Sequence, residues 1–322
     1  MNESLLDKSE KLYIFSGTSH PCLANSIASY IGEKVCNAVV QKFHNGETQV
    51  MLGDNVRGKH VFVLQTFCTP VNEMIVELLV MMDALKRASA GSVTAVIPYY
   101  AYNRQDEKMH DRDAITAKLL ANMITAAGAD RVVTMDLHSD QLEGFFDMPV
   151  EHIFSEPVMQ RYVANCFNGQ KEDVVVVSPD MAGVRRARHF AKRLNAPLVI
   201  LDRRRPKPDV AVIVDIIGDV KGKTALLVDD TIDTAGSIVE GAKALKDAGA
   251  KQIYAVCTHA VLSGNAVEQL ENSHVEQLII TDTIPLTKDK QSDKIKVVTI
   301  APIFGEVILR VFNEQPVSKL YD

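Results

Sequence analysis

The residues best suited to chemistry lie near position 230, after an apolar run. Two adjacent acids, Asp229 and Asp230, follow this run, and a short Asp-Thr-Ala-Gly-Ser segment at residues 233–237 opens an amphipathic stretch. This order predicts a buried strand, an acidic strand end and a turn into a helix N-terminus. Backbone N–H groups and the helix dipole make such an N-terminus an anion site. The two carboxylates could hold sugar hydroxyls there, directly or through Mg²⁺.

The 233–237 segment also has residues that suit a phosphate group. Thr234 and Ser237 offer hydroxyl donors, and Gly236 has no Cβ to keep a ligand away from the backbone. An ordinary helix N-cap is the alternative, because Asp and Thr are common at that position in any protein. The paired acids and the apolar run before them favour the phosphate site.

Two more polar clusters follow apolar, β-branched runs. Asp136 and His138 come after one run, and Asp180 closes a Ser-Pro-Asp sequence after another. In open α/β sheets, ligands bind outside the carboxyl ends of the strands, so these clusters are expected at a binding edge. His138 taken alone is more typical of a hydrogen-bonded core residue.

A basic cluster follows the apolar run at residues 198–201. Arg203, Arg204 and Arg205 stand together, and Pro206 and Pro208 come directly after them. Proline does not fit a helix interior, so the cluster is predicted to form a loop. Three arginines could clamp a polyphosphate whose charge grows during transfer. A solvated basic face explains the same residues equally well.

Two further segments contain polar residues whose role stays open. Arg104-Gln105-Asp106 follows an apolar run and three tyrosines, and arginine can pair with phosphate while glutamine can read a base edge. A solvated loop is nevertheless the favoured interpretation of that segment alone. Phe43–Glu47 contains an Asn-Gly pair and predicts a turn.

Strand-length apolar runs alternate with amphipathic segments along the chain, which predicts parallel sheets covered by helices on both faces. The pattern occurs once before and once after residues 145–157, so two domains are expected. The predicted strands are Val61–Gln65, Val93–Ile97, Arg131–Met135, Val174–Val177, Leu198–Leu201, Ala225–Val228, Ile253–Cys257 and Leu278–Ile280.

Three helices are predicted from apolar residues at helical spacing. The first has Thr69 as N-cap, Pro70 as its first residue and a Met-rich core stripe from Met74 to Leu85. The second covers residues 113–127, and the third follows Thr234 and ends at Gly249. In the second helix the residues expected to face inward are Leu119, Leu120, Met123 and Ile124.

Composition limits the class of protein. The 322 residues fit two domains, and a net charge of −6 with a pI near 5.9 argues against a nucleic-acid-binding protein. No apolar run reaches the roughly 18 residues that a membrane span needs, and the first residues lack the apolar core of a secretory signal. The five scattered cysteines fit free thiols in a reducing cytoplasm. A cytoplasmic α/β protein is expected.

Several motifs, taken in order, resemble one family over nearly the whole chain, the ribose-phosphate pyrophosphokinases of the phosphate-activated class, also called phosphoribosyl-pyrophosphate synthetases. The 229–237 loop resembles the phosphoribosyl-pyrophosphate-binding motif that this family shares with phosphoribosyltransferases. The motifs that carry the resemblance are Asn45-Gly46-Glu47, Pro98-Tyr99-Tyr100, Arg104-Gln105-Asp106, Asp136-Leu137-His138, Gly144–Asp147, Ser178-Pro179-Asp180 and residues 229–237.

The resemblance implies an α/β fold of two phosphoribosyltransferase-like domains, each a mainly parallel sheet flanked by helices. Residues 1–152 would form an ATP-side domain and residues 153–322 a ribose-5-phosphate-binding domain, with about 15 final residues packing on the first. The implied transferase would move the pyrophosphoryl group of MgATP to the C1 hydroxyl of ribose 5-phosphate for nucleotide biosynthesis. A homo-hexamer is implied, with Mg²⁺ as cofactor and phosphate and ADP as effectors.

The resemblance also implies roles for single residues. The residues that would bind ATP are Phe43, Asn45, Glu47, Arg104, Gln105 and Asp106. His138 and Asp180 would face Mg²⁺, and Arg203 and Arg205 would stabilise the transferring group. The residues that would bind ribose 5-phosphate are Asp229, Asp230, Asp233, Thr234, Ala235, Gly236 and Ser237.

Two departures from the family pattern keep an alternative open. Arg203 stands where the family usually has lysine, and Met181-Ala182 replaces His-Gly after the Ser-Pro-Asp sequence. A catalytically weak or silent paralogue that acts as a regulatory subunit is therefore the alternative to an active enzyme. A phosphoribosyltransferase that consumes the product ranks last, because it would not need the motifs at 43–47 and 104–106.

Overall fold

The computed structural model describes residues 12–166, 173–207 and 210–321, and within 204–207 and 210–214 it describes the backbone alone. The chain divides into two compact units. One contains the described residues of Met1–Ile153 and Ala301–Asp322, and the other is Phe154–Ile300. Each unit is an α/β structure with its own sheet.

The first unit has a five-stranded parallel sheet in the order β1-β4-β5-β6-β7. Its strands are β1 (Leu12–Ser16), β4 (His60–Leu64), β5 (Ser92–Ile97), β6 (Arg131–Met135) and β7 (Val150–Ile153). A separate antiparallel hairpin consists of β2 (Ala38–Lys42) and β3 (Thr48–Leu52). The carboxyl ends of the parallel strands therefore share one edge.

The described part of the first unit has the α-helices α1 (Pro21–Ile31), α2 (Val71–Arg87), α3 (Thr116–Ala126) and α8 (Ala301–Phe312). α8 packs against α1, and the approach is close enough that a Cβ on Gly305 would collide with Tyr30. The Met-rich stripe of α2 is core, as predicted: Met74, Met81 and Met82 are buried.

Two details of the predicted helices are wrong. α2 begins at Val71, with Pro70 as its N-cap and no side-chain cap bond, so Thr69 does not cap it. In α3, Leu119 and Met123 are 56% and 37% exposed, whereas Leu120 and Ile124 are buried as expected. The small residues Ala117 and Ala121 complete the buried face, so α3 buries a narrower stripe than its leucines and methionines suggest.

The second unit has a seven-stranded sheet in the order β10-β9-β8-β11-β12-β13-β14, parallel except for the antiparallel pair β9 and β10. Val175 and Val177 of β8 pack into one core and Val176 into the other, so this strand is buried on both faces. The strands are β8 (Val174–Ser178), β9 (Leu198–Lys207), β10 (Val210–Ile217), β11 (Thr224–Ile232), β12 (Gln252–Ala260), β13 (Gln277–Thr281) and β14 (Ile295–Val298). The helices are α4 (Glu156–Cys166), α5 (Val184–Leu194), α6 (Gly236–Asp247) and α7 (Ala266–Glu271).

The loop predicted for the arginine cluster is wrong, because β9 continues through it to Lys207. Arg203 pairs with Ile213 and Lys207 with Val210 across the antiparallel hairpin, with register irregularities along β10. Proline excludes a helix interior, but it is tolerated in an edge strand or beside a bulge. Pro206 and Pro208 therefore exclude a helix here, but they do not exclude a strand.

The predicted alternation of strands and helices is confirmed in both units, and every predicted strand is present. Among the described residues, no helix is both long and apolar enough to cross a membrane. All five cysteines are free thiols.

Candidate functional site

The paired acids lie inside β11, at the point where that strand outruns its neighbour. β11 pairs with β8 only as far as Leu227, but with β12 as far as Ile232. Asp229 and Asp230 therefore stand beyond the last β8 partner, beside the turn that carries Asp180. This is the carboxyl edge of the parallel sheet, where an α/β fold binds ligands.

Arg186 of α5 is the counter-charge for this acidic pair, and the sequence analysis missed it. Its Nη1 lies 2.9 Å from Oδ1 of Asp230 and 3.9 Å from Oδ1 of Asp229. Burial, followed by the neighbouring Asp230 carboxylate, raises the pKa of Asp229 well above its ordinary value, and Arg186 opposes that rise. In the sequence, Arg186 is only an arginine soon after the Ser-Pro-Asp cluster. Its role as the partner of Asp230 becomes apparent once α5 is known to begin at Val184.

Arg203 joins two of the predicted site residues. Its Nη2 donates to Oδ2 of Asp180 at 2.6 Å, and its Nη1 donates to the hydroxyl of Ser237. Its side chain is only 12% exposed. Asp180 uses its other oxygen, Oδ1, to accept from the N–H of Gly183 at 2.9 Å, just before α5 begins. One guanidinium thus spans the proposed metal carboxylate and the proposed phosphate loop.

The 233–237 loop leads directly into α6, as predicted. Ala235 is the N-cap and has a positive φ of 65°, and Gly236 begins the helix. A Cβ on Gly236 would find only the Thr234 hydroxyl nearby, at 3.8 Å, so the space beside its backbone is open. The first N–H groups of a helix have no partner within it. Open space beside such groups fits the phosphate of a ligand.

Asp233 has a structural role in the same loop. Its carboxylate accepts from the hydroxyl of Ser263, and its carbonyl accepts from the N–H of Ser263 at 2.9 Å. These contacts fix the start of the loop to the segment that follows β12.

In the first unit, the residues after β6 form a second polar group. Asp136 is buried with a positive φ of 39°, and His138 is exposed at the strand end. The Ser139 hydroxyl donates to Oδ2 of Asp106 at 2.7 Å, which ties the 104–106 segment to the 136–138 turn. Two of the motifs separated in sequence thus meet at the carboxyl edge of the first sheet.

Gln105 and the 43–47 segment have defined local structures. Oε1 of Gln105 accepts from the Thr116 hydroxyl at 2.6 Å at the start of α3, and Arg104 is exposed. The Phe43–Glu47 segment is the tip of the β2–β3 hairpin, with the Phe43 N–H bonded to the Glu47 carbonyl and φ of Gly46 at 89°. The predicted Asn-Gly turn is confirmed, and Phe43 is 48% exposed there.

The structure does not describe two of the predicted roles, the charge stabilisation by Arg205 and the joint approach of His138 and Asp180 to a metal ion. The side chain of Arg205 lies outside the described residues. His138 belongs to the first unit and Asp180 to the second, and each is described only within its own unit. The described residues contain no group of three or more His, Cys, Asp or Glu side chains arranged to hold a metal ion.

The chain matches two family models. One, described as the N-terminal domain of ribose phosphate pyrophosphokinase, matches residues 12–128. The other, described as a phosphoribosyl synthetase-associated domain, matches residues 201–322. Together they cover most of the chain.

Relatives of known sequence and structure agree. The ribose-phosphate pyrophosphokinase of Clostridium acetobutylicum is 54% identical over 98% of this chain and 99% of its own length. The ribose-phosphate pyrophosphokinase of Caldanaerobacter subterraneus subsp. tengcongensis is 55% identical over 96% of this chain and 98% of its own length. The crystal structure of phosphoribosylpyrophosphate synthetase from Mycobacterium smegmatis has a TM-score of 0.89 and 40% identity, and covers 94% of this chain and 99% of its own.

Proposed function

This chain belongs to the ribose-phosphate pyrophosphokinase family, and we propose that it makes 5-phosphoribosyl 1-pyrophosphate and AMP from ATP and ribose 5-phosphate. The observation that carries the proposal is 54% identity to a ribose-phosphate pyrophosphokinase over 98% of the chain. The product would serve nucleotide biosynthesis. The enzyme is a transferase that acts on phosphorus-containing groups.

In the proposed reaction, the C1 hydroxyl oxygen of ribose 5-phosphate attacks the β-phosphorus of ATP. The bond from that phosphorus to the oxygen bridging the α- and β-phosphates breaks, and AMP leaves with this oxygen. The hydroxyl proton is released. No covalent enzyme intermediate is needed, so the protein acts by positioning the two substrates and neutralising charge.

The second unit would bind ribose 5-phosphate. The open backbone beside Gly236 and the N-terminus of α6 suit the 5-phosphate, and the hydroxyls of Thr234 and Ser237 would add donors. The residues of this phosphate cradle are Asp233, Thr234, Ala235, Gly236 and Ser237. Asp229 and Asp230 would hold the ribose hydroxyls, and Asp230 is held in place by its ion pair with Arg186.

The first unit would bind ATP. The exposed aromatic ring of Phe43 suits stacking on the adenine base. Arg104 would pair with phosphate oxygens, and the tie between Asp106 and Ser139 would hold that segment against the 136–138 turn. The other residues proposed at this site are Asn45, Glu47 and Gln105.

Mg²⁺ is the proposed cofactor, and His138 and Asp180 are the residues proposed to face it. Carboxylate oxygens are ligands that this hard cation prefers, and Mg²⁺ is usually held by one or two carboxylates together with substrate phosphates. A site with few protein ligands therefore suits MgATP. When bound, the ion would neutralise phosphate charge. Arg203 and Arg205 would stabilise the charge that develops on the transferring group.

We also propose a homo-hexamer that responds to phosphate and ADP. Exposed apolar side chains on the β2–β3 hairpin and α2 support association of copies of the chain. They include Val39, Met51 and Val76, which are 46–49% exposed. Sedimentation velocity of the purified protein tests the assembly, and a hexamer peak is expected.

The reaction is tested with purified protein, Mg²⁺, ATP and ribose 5-phosphate. AMP and phosphoribosyl pyrophosphate are measured with and without inorganic phosphate. We expect both products in equal amounts, and a higher rate with phosphate. ATP labelled at the β-phosphate should pass its label to the sugar product. Absence of turnover under both conditions, with both substrates still bound, would overturn the proposal.

A further inference from the structure

The side chain of His152 connects three segments of the first unit that the proposed mechanism does not otherwise explain. It lies on the edge strand β7 and is only 3% exposed. Its Nε2 accepts from the backbone N–H of Leu137 at 2.9 Å, and its Nδ1 lies 2.7 Å from a carboxylate oxygen of Glu143. Glu143 belongs to the 3₁₀ helix Asp140–Phe145. One ring therefore connects β7, that 3₁₀ helix and the turn after β6.

These partners determine the tautomer of the ring. A backbone N–H can only donate, so the Nε2 that faces Leu137 must carry its lone pair. The proton of a neutral imidazole then resides on Nδ1, where it is donated to the Glu143 carboxylate. Glu143 thus orients the ring and fixes its tautomer, as a carboxylate does for a histidine whose other nitrogen binds a metal. In His152 the other nitrogen, Nε2, accepts a hydrogen bond from the backbone N–H of Leu137.

The backbone that His152 holds is strained and lies next to the proposed metal-facing residue. Asp136 has a φ of 39°, which non-glycine residues rarely adopt, and its N–H donates to the Ile153 carbonyl at 2.9 Å. The next N–H, of Leu137, donates to the His152 ring. Two consecutive amides of the turn are therefore held by β7, one by its backbone and one by a side chain. His138 follows directly.

We propose that His152, oriented by Glu143, is a positioning residue for the nucleotide and metal site. It fixes the 136–138 turn so that His138 is presented at the sheet edge. The inference rests on the proposed function, because it assigns His138 to the MgATP side. Leu137 is 2% exposed, so loss of the ring acceptor would leave its N–H buried without a partner or force the turn to move.

Two variants of His152 separate this role from simple packing. In His152→Phe the acceptor is lost while a buried ring remains. In His152→Gln the amide oxygen reaches about as far as Nε2, so the bond from Leu137 is kept. Val133→Ala is the matched control, because it removes buried volume from β6 without changing either bond.

The first readout is hydrogen exchange of the ligand-free protein, followed on the peptide that contains Leu137. We expect His152→Phe to exchange at least about tenfold faster there, and His152→Gln to behave like the parent protein. The second readout is calorimetric binding of the magnesium complex of a non-hydrolysable ATP analogue. Residues that orient metal ligands typically affect affinity by roughly 10–100-fold, and a loss in that range is expected for His152→Phe. Ribose 5-phosphate affinity should stay unchanged.

Specific results overturn the inference. Parent-like nucleotide affinity in His152→Phe would show that the ring holds backbone without positioning the site. Equal nucleotide losses in His152→Phe and Val133→Ala, at equal loss of thermal stability, would show a packing effect only. Failure of the proposed function is distinguishable, since it would appear as absent turnover in the parent protein, whereas the exchange readout would still report the contact of His152 with Leu137.

Discussion

Arg203 and Asp180 form an ion pair in which the guanidinium Nη2 lies 2.6 Å from the carboxylate Oδ2. Both residues are proposed to act on the bound substrates, Asp180 by facing the metal and Arg203 by neutralising the transferring group. The second guanidinium nitrogen, Nη1, donates to Ser237 of the phosphate loop. One guanidinium therefore contacts two groups that are proposed to meet the substrates. Under the proposed roles, substrate and metal binding would compete with these contacts.

Removal of Arg203 should slow the chemical step far more than it weakens binding. We expect Arg203→Ala to lower kcat by roughly 10³, the scale for arginines that stabilise charge during phosphoryl transfer. Steady-state rates and separate calorimetric titrations of both substrates measure the two effects. A kcat loss below tenfold would show that Arg203 only pairs with Asp180 and does not stabilise the transferring group.

Arg203→Lys should lower the Mg²⁺ concentration that gives half the maximal rate, and it should raise kcat. Lysine is a compact point charge and cannot reproduce the two-armed contact with Asp180 and Ser237, so the groups are released more easily to the substrates. The measurement is the Mg²⁺ concentration that gives half the maximal rate, at saturating ribose 5-phosphate. An unchanged or higher requirement, together with a lower rate, would indicate a site adapted to arginine.

Substitution of Arg205 tests whether the arginine cluster of β9 acts on the transferring group. The side chain of Arg205 is not among those that the structure describes. Arg205 follows Arg203 by two residues in β9 (Leu198–Lys207). We expect Arg205→Ala to lower kcat by roughly 10³ while ATP binding survives. Arg204→Ala is the matched control and should retain most of the rate. Similar small losses in both variants would indicate a solvated basic face.

The sequence predicted the parts of this fold that depend on local pattern. Val174–Val177 is a run of four valines, of which Val175–Val177 are buried on both faces of the sheet, and such runs indicate central parallel strands without knowledge of the partner strands. The β2–β3 hairpin escaped prediction as strands because its residues are mostly half-buried or exposed, so they show no clear alternation. Only the Asn-Gly turn between these two strands could be predicted from the sequence.

The contacts of the site that the sequence did not reveal join residues of different elements. Arg186 meets Asp230 across 44 positions, and Glu143 meets His152 from a 3₁₀ helix that no sequence pattern signalled. Such pairs depend on how helices and turns pack at the sheet edge, and the spacing of residues within a motif carries no information on that. The strand-end acids were predictable because parallel strands all end at one edge.

Loss of the counter-charge at Arg186 should affect both stability and ribose 5-phosphate binding. Asp230 is only 4% exposed, and a buried charge left without its partner destabilises a protein by roughly 3–5 kcal/mol. Because Arg186 is 25% exposed, we expect a smaller loss for Arg186→Gln, on the order of 2 kcal/mol. The KM for ribose 5-phosphate should rise with it.

The matched control for Arg186 is Arg188→Gln, which makes the same change on an exposed position of α5. Thermal unfolding and ribose 5-phosphate kinetics of both variants should differ clearly. If Arg188→Gln lowers Tm as much as Arg186→Gln does, the loss comes from helix charge in general and the specific pair with Asp230 has no measurable role.

Asp229→Asn should stabilise the ligand-free protein and abolish ribose 5-phosphate binding. The pKa of Asp229 is raised by burial and by the Asp230 carboxylate, so the folded chain binds a proton there more readily than the unfolded chain does. Parent stability therefore falls as the pH rises from the ordinary range of aspartate through the raised pKa. Asparagine is uncharged throughout, so we expect Tm at neutral pH to rise.

The pH dependence of this gain distinguishes charge from packing. Tm measured from neutral to acidic pH should show the advantage of Asp229→Asn shrinking as the pH falls below the raised pKa, where the parent carboxyl is already protonated. Asp219→Asn gives a control of opposite sign, because the hydrogen bond from Lys223 lowers the pKa of Asp219 and its charged form stabilises the fold. A gain for Asp229→Asn that does not change with pH would trace the effect to packing and refute the electrostatic explanation.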